Sequence, residues 1–292
     1  MSGTGHNGAV TTRALVLGGG GITGIAWEIG LLHGLAERGV DLSGADVVIG
    51  TSAGSVVGAQ LTNGAATSAM YERQLAPVGT FGPEPAAAIG LGVTARWIAT
   101  GLRSGRDLEG LGRRLGAYAV REASRGRVPT EEERIAVISS RLVSQEWPGR
   151  PLRVTAVDAA TGAFRVFEAS DGVPLARAVA ASCAVPGIYP PVSVDGRRYI
   201  DGGTRSSANA DLAAGYDQVV ALTPIAAAVP RSRGAEAQLA GTGARYTVVA
   251  PDRDARRAIG RNVLDPSARA ATARAGLAQA ASVADAVAAV WG

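Results

Sequence analysis

The first residues with chemical content are Gly50-Thr51-Ser52-Ala53-Gly54, which have the G-x-S-x-G spacing. The letters recur by chance, so their setting decides their value. Ala45 to Ile49 before them is a short apolar run, and a helical pattern follows to about Leu61. A serine on a sharp strand-to-helix turn exposes its hydroxyl at the end of a sheet, and small residues on both sides let strand and helix approach. The positive end of the helix dipole also favours a developing alkoxide. The same serine would serve equally as an ordinary helix N-cap, and the pentapeptide alone does not separate the two roles.

A second feature lies upstream, where Gly18 to Gly21 are followed by Ile22-Thr23-Gly24. Read from Gly19 through Gly21 to Gly24, the run fits G-x-G-x-x-G. A dinucleotide site would then need an acid about 20 residues on, at the end of the second strand. That strand ends Ile49-Gly50-Thr51-Ser52 instead, while Asp41 and Asp46 precede it or stand at its start. Nicotinamide and flavin binding are therefore disfavoured. Consecutive glycines after a strand can also gather several backbone N–H groups in one concavity, as an oxyanion hole does. One such donor is worth about 2.7–4 kcal/mol to a serine hydrolase. A tight turn would need one glycine, whereas four suggest close approach of a ligand atom.

A serine nucleophile needs a base, and here the composition bears on the chemistry. All 29 positive side chains are arginine; the chain has no lysine. A Walker phosphate loop, a Schiff base and a Ser-Lys hydrolase would each need an unusual substitute. The cause is read as a bias toward Arg, Ala, Gly, Pro and Val. Of the two histidines, His6 stands in a polar lead-in and His33 in the first helix. At about 1.5 Å per residue, His33 falls well over ~10 Å beyond the glycine turn. A carboxylate remains. Asp201-Gly202-Gly203 ends the run Arg197 to Ile200, and an aspartate within about 2.6–3.2 Å of the hydroxyl could take its proton. Its ordinary pKa is low for that work, so burial or substrate must raise it. Asp158 also ends a strand and is the second candidate. A plain Asp-Gly turn is the bland alternative, since Asp171-Gly172 and Asp195-Gly196 use the same pair.

The elements that must position these residues follow from periodicity. Arg13 to Leu17 reads as a buried strand, Gly18 to Gly24 as a tight turn and Ile25 to Arg38 as a helix stopped by Gly39. Strand, helix, strand, helix with short connections implies a parallel sheet covered on both faces. Residues 65–150 look helical, with Thr130 and Glu133 forming a capping box. Leu152 to Val157 and Phe164 to Phe167 return as strands. Asp195-Gly196 marks a hairpin within Val192 to Ile200. Gln218 to Leu222 and Tyr246 to Val249 add two strands, and residues 266–290 form a last, alanine-rich helix.

The composition excludes several classes. Hydrophobic residues make up 47% and charged residues 18%, as in a soluble protein with a large core. The net charge of +4 is scattered, without the basic stripe of a nucleic-acid protein. Cys183 is the single cysteine, so no intrachain disulfide forms, consistent with a reducing compartment. Residues 1–12 lack a signal-peptide core and are expected to be a disordered lead-in to one domain over 13–292. No apolar run is long enough for a spanning helix. A cytoplasmic location is expected.

Taken in order, LVLGGGGITG, GTSAGS and DGG resemble the patatin-like phospholipase family. Ala181 to Val192 (ASCAVPGIYPPV) is similar to the family's stretch before its catalytic aspartate, and Val248 to Arg269 to its C-terminal region. The resemblance spans roughly residues 12–270, weakly over 65–150. It implies an α/β fold, three-layer α/β/α with a mainly parallel central sheet and a helical insertion covering one end. It implies a lipid acyl-ester hydrolase working through an acyl-enzyme, with Ser52 as nucleophile, Asp201 as base and Gly19, Gly20 and Gly21 around the oxyanion. Gly24, Gly50, Gly54, Gly202 and Gly203 support these motifs. No metal and no cofactor is implied; the partner is a lipid or acyl ester, with transient membrane-surface contact. Thr23 departs from the family, which usually carries arginine or lysine there, and that puts a preference for phosphate-bearing lipids in doubt. Ala86 to Leu102, nearly uncharged, would line an acyl pocket or touch a lipid surface, or else be an ordinary packed helix. An acyltransferase using the same acyl-enzyme and a non-catalytic lipid-binding protein are the competing functions.

Overall fold

The computed structural model describes residues 11–80, 82, 87–225 and 233–292. Most of the lead-in, His6 and Ala86 lie outside the described residues. The chain runs β1 (Arg13–Leu17), α1 (Gly21–Ala36), β2 (Val47–Gly50), α2 (Ala53–Thr62), α3 (Thr67–Leu75), α4 (Leu91–Ser104), α5 (Leu108–Ser124) and α6 (Glu131–Arg141). It continues β3 (Leu152–Asp158), β4 (Phe164–Phe167), α7 (Leu175–Ser182), β5 (Val192–Val194), β6 (Arg197–Asp201), β7 (Gln218–Leu222), α8 (Ala235–Leu239), β8 (Arg245–Val249), α9 (Arg253–Ile259) and α10 (Arg269–Trp291).

The strands form one sheet in the order β5-β6-β3-β2-β1-β7-β8, with β4 also on β3. β3, β2, β1, β7 and β8 are parallel to one another, β4 and β6 each pair antiparallel with β3, and β5 pairs antiparallel with β6. The central parallel strands β1, β2 and β7 are mostly apolar and buried because both faces are covered, whereas β8 at the edge is part-exposed. Leu15 and Leu17 of β1 face α1, α2 and α10; Ala14 and Val16 face the segment after β6 and α8. Helices therefore lie on both sides, which makes three layers. Asp195 and Gly196 both have positive φ, as a two-residue hairpin of this twist requires.

One feature of the register brings the site together. Val154 of β3 pairs with Gly50 and with Phe167, while Ala156 pairs with Asp201 and with Arg165. A strand has two edges, so β2 and β6 must share one of them. β2 lies along its first half and β6, arriving from the opposite direction, along its second. The chain leaving β2 after Gly50 therefore meets the end of β6 at Asp201.

The helices of 65–150 divide between surfaces. α3 packs on α1 and α10, α6 on α7, and α5 against β3 and β6. α10 lies along α1, and small residues set their spacing. A Cβ on Gly30 would stand 2.0 Å from the Ala273 carbonyl oxygen, and one on Gly276 2.4 Å from that of Trp27. This is why α10 carries Gly276 among many alanines. Among the described residues no helix is long and apolar enough to cross a membrane.

Glu28 of α1 is fully buried, and the Gly18 N–H, which lies towards its carboxylate, is already given to the Leu222 carbonyl at 2.9 Å. Burial holds its pKa well above the usual carboxylate range. Because the folded pKa is raised, its contribution to stability is intact below the unfolded pKa and is lost as pH rises through the folded one. Glu28→Met should therefore raise stability by about 1–3 kcal/mol at pH 7. Denaturant midpoints at pH 6 and pH 9 check this, with the larger gain expected at pH 9.

Candidate active site

Ser52 has φ 51° and ψ −113°, a left-handed backbone that a non-glycine residue adopts rarely. Strain of this kind costs about 1–3 kcal/mol and persists only where the surroundings enforce it. Here they do. The Ser52 N–H donates to the Ser182 hydroxyl at 2.8 Å. Its carbonyl accepts from the Ser55 hydroxyl at 2.6 Å and from the Cys183 thiol at 3.3 Å. The flanking glycines are a packing requirement: a Cβ on Gly54 would stand 2.1 Å from the Leu17 carbonyl oxygen, and one on Gly50 2.6 Å from Ser55 Cα. The serine hydroxyl makes no N-cap hydrogen bond, so the N-cap alternative fails.

That hydroxyl is set beside the Asp201 carboxylate instead and favours its charged form. Both side chains are buried, Ser52 at 8% and Asp201 at 6% exposure. Asp201 Oδ1 also accepts from the Gly203 N–H at 2.7 Å. Burial pushes the Asp201 pKa up to about 6, although the Ser52 hydroxyl, the Gly203 N–H and the Arg134 charge all pull against it. A carboxylate near 6 is partly ionised at neutral pH and can accept a proton. Gly202 is required by proximity, since its Cβ would stand 2.3 Å from Thr155 Oγ1.

The second candidate base is spent elsewhere. Asp158 Oδ1 accepts from the Ala160 and Thr161 N–H groups, and Oδ2 pairs with Arg197 at 3.1 Å. Burial would raise its pKa, but those hydrogen bonds outweigh it and hold the carboxyl below its usual range. It closes the β3–β4 turn. His33 lies against Tyr71 and Glu37, away from the elbow.

The glycine loop is shorter than its sequence suggests. α1 begins at Gly21, not Ile25, so only Gly18 to Gly20 form the turn. Gly19 faces the serine, where its Cβ would come 3.5 Å from Ser52 Cβ. Its N–H, however, is committed to the Ser207 carbonyl at 2.7 Å and is not a free donor. The Gly20 and Gly21 N–H groups have no acceptor among the described residues. Gly21 has φ 62°, and a Cβ there would meet the Val263 carbonyl oxygen at 2.6 Å. Gly24 packs against Ala53, and the Gly54 N–H bonds the Gly18 carbonyl at 3.0 Å, so loop and elbow are one unit. Thr23 is fully buried, with its hydroxyl 3.4 Å from the Gly20 and Val263 carbonyl oxygens. It braces the loop from behind.

Sequence reasoning missed the residues that hold serine and aspartate in register. Asn209 is fully buried and has φ 50°. Its amide bonds Thr51 Oγ1 at 3.0 Å and Thr155 Oγ1 at 3.3 Å. It also reaches the Gly202 and Ser206 carbonyls at 3.4 and 2.9 Å. One side chain thus ties the elbow, β3 and the loop after Asp201. Neither Asn209 nor Ser182 stands in a local pattern, because each meets the elbow from more than a hundred residues away in sequence. Asn209→Ala should cost about 2–3 kcal/mol, read from the denaturant midpoint. It should also slow covalent labelling of Ser52 at least tenfold, and an unchanged midpoint would remove Asn209 from this role.

Among the described residues no cluster of three or more His, Cys, Asp or Glu is arranged to hold a metal ion.

A strained serine elbow, a buried aspartate beside it and a glycine loop are an arrangement that a serine acyl hydrolase of α/β type would use. The family described as patatin-like phospholipase matches residues 15–214, and the chain belongs to that family. The family is one of lipid hydrolases. The fold is similar to VipD from Legionella pneumophila, with TM-score 0.47 and 13% identity, over 94% of this chain and 67% of that one. It is also similar to the type III effector protein ExoU, with TM-score 0.37 and 20% identity, over 92% of this chain and 53% of that one. The chain thus spans about two thirds of the first structure and about half of the second. No curated protein matches it.

Proposed function

We propose that this chain hydrolyses acyl esters of lipids through a Ser52–Asp201 dyad and an acyl-enzyme. The observation that supports the reading is the strained Ser52 elbow set beside a buried carboxylate whose pKa burial pushes up to about 6. Ser52 Oγ attacks the ester carbonyl carbon while Asp201 takes its proton. The carbonyl oxygen gains negative charge and receives the Gly20 and Gly21 N–H groups, together with the Ala53 N–H at the start of α2. Asp201 returns the proton to the departing alcohol. It then takes one from the water that cleaves the acyl-enzyme.

A panel of esters of increasing chain length, with a fluorophosphonate that labels activated serines, tests this. Turnover and labelling at Ser52 are expected together; an unlabelled Ser52 would sink the nucleophile assignment.

α4 is the surface for an aggregated lipid. Leu91, Ile98 and Leu102 are 90%, 59% and 80% exposed, and their spacing places them on one face of the helix. Trp97 anchors α4 from the other side, its indole N–H 3.1 Å from the Pro186 carbonyl oxygen. An ordinary packed helix would have buried these three side chains. Replacing all three with serine should weaken sedimentation with phospholipid vesicles about tenfold or more. Turnover of a water-soluble ester serves as the control, and equal loss of both would argue against surface contact.

A further inference from the structure

A cleft beside the elbow changes character along its length. Ile22 and Ile25 of α1 and Val56 of α2 give it an apolar wall. Gln60 of α2 and Gln74 of α3, with side chains from α6 and α10, give it a polar end. It holds about 480 Å³ of space, part of it open to solvent.

Chain position orders these groups. Ile22 directly follows Gly21 of the glycine loop, and Val56 lies one turn beyond Ser52. The apolar wall therefore starts beside the reacting carbonyl. Gln60 stands one turn further on the same face of α2, about 12 Å from Ser52 along the axis. Asp201 reaches the elbow from the β3 and β6 side of β2, and the alcohol departs towards it. The cleft begins at the helix that follows β1, on the other side of β2. It is placed for the part of the substrate that stays on Ser52, the acyl chain.

The polar end has an unmet demand. Gln60 is 3% exposed, and its Oε1 is buried with no hydrogen-bond partner among the described residues. Gln74 is 7% exposed, and its amide makes no hydrogen bond among them either. The neighbouring guanidiniums are engaged: Arg73 donates to the Ser140 carbonyl at 3.1 Å and Arg269 to the Ala76 carbonyl at 2.6 Å. A buried polar atom left unpaired is destabilising, and native proteins rarely keep one without a use. Gln60 Oε1 needs a donor, and an amide N–H can donate in return. A hydroxyl does both. A carboxylate only accepts, and a plain alkyl chain does neither.

We propose that the cleft takes the acyl chain and that Gln60 and Gln74 select chains bearing a hydroxyl remote from the carbonyl, so that hydroxyacyl esters are preferred to plain acyl esters of equal length. This rests on the acyl-hydrolase reading above. The bond broken is the same ester bond, and the acid released is a hydroxy acid.

The test uses aryl esters of ω-hydroxy acids and of the matching plain fatty acids, from hexanoyl to decanoyl, with wild type, Gln60→Leu and Gln74→Leu. In wild type the hydroxyacyl ester should have the higher kcat/KM at the length that reaches Gln60. The ratio of hydroxyacyl to plain kcat/KM should fall about tenfold or more in Gln60→Leu, mainly through KM, while the plain ester gains. Gln74→Leu should lower it in the same direction. Leucine removes an unpaired polar atom at similar volume, so Gln60→Leu should melt above wild type; the unbranched Gln60→Met carries the comparison if leucine does not fold. Damage to the fold or to the dyad lowers both esters together and leaves the ratio alone. A ratio unchanged in both glutamine variants would overturn the proposal. A wild-type preference for ω-carboxyacyl over ω-hydroxyacyl esters would assign the polar end to the arginines and overturn it as well. If the wild type hydrolyses no ester, the acyl-hydrolase reading fails on its own account. The cleft is then read from melting temperature, which free ω-hydroxyoctanoic acid should raise above octanoic acid in wild type but not in Gln60→Leu; no difference between the two acids in wild type refutes it.

Discussion

Ser52→Ala is expected to lower turnover of every ester substrate by about 10⁴-fold or more and to abolish fluorophosphonate labelling. The loss should fall on kcat, because the hydroxyl supplies the bond that forms and little of the binding. Two further effects follow from the geometry. Asp201 loses one of the donors that stabilise its charge, so its pKa should move further above about 6 in the variant. The backbone strain remains, because alanine at φ 51° is no more comfortable than serine. Ser52→Gly is equally inactive but relieves that strain, and should exceed the alanine variant in stability by about 1 kcal/mol or more. Paired thermal melts measure the difference. Residual turnover above about one part in a hundred in either variant would mean another group is the nucleophile.

Asp201→Asn should be nearly as damaging, since an amide keeps the shape but cannot take the serine proton; a loss of about 10⁴-fold is expected by analogy with removing a base from other hydrolases. In the wild type kcat/KM should rise with pH and level off above about 6, the pKa of the buried carboxyl. Stability carries the opposite sign. The folded pKa exceeds the unfolded value of 3.8, so the stabilising proton is fully present below about 3.8 and is lost as pH rises through about 6. At pH 8 the wild type therefore holds an ionised carboxylate in a buried site. Asp201→Asn should melt higher there, by about 2–3 kcal/mol, with little gain at pH 4. An inactive variant that is more stable only at high pH is the signature of a group kept for chemistry. Full activity in Asp201→Asn would transfer the role of base elsewhere.

Much of this was legible in the chain itself. A central sheet of parallel strands follows from apolar runs too short and too uniform to be anything but doubly covered. The elbow is readable because close packing at Gly50 and Gly54 is a local demand, met by the residues on either side of Ser52. The absence of lysine and the poor placement of both histidines left a carboxylate as the base, although Asp158 and Asp201 end their strands in similar ways. The register of β3 separated those two. β6 takes over the edge that β2 vacates and delivers Asp201 to Ser52, whereas the oxygens of Asp158 are consumed by its own turn and by Arg197. The free donors of the glycine loop were equally hidden, since it is the Ser207 carbonyl, far along the chain, that occupies the Gly19 N–H.

What the sequence determined alone is whatever depends on residues within a few positions of one another: the strand-to-helix turns, the glycines that make them sterically allowed, and the residue types able to act as nucleophile and base. What the tertiary structure decided is everything that needs two distant segments to share a space. Asn209 under the elbow, Ser182 on its N–H, a carboxyl raised to about 6 by burial and Arg134 stacked on Tyr189 belong to that second group. Desolvation and hydrogen-bond pairing are properties of a packed environment, and no spacing of letters encodes them.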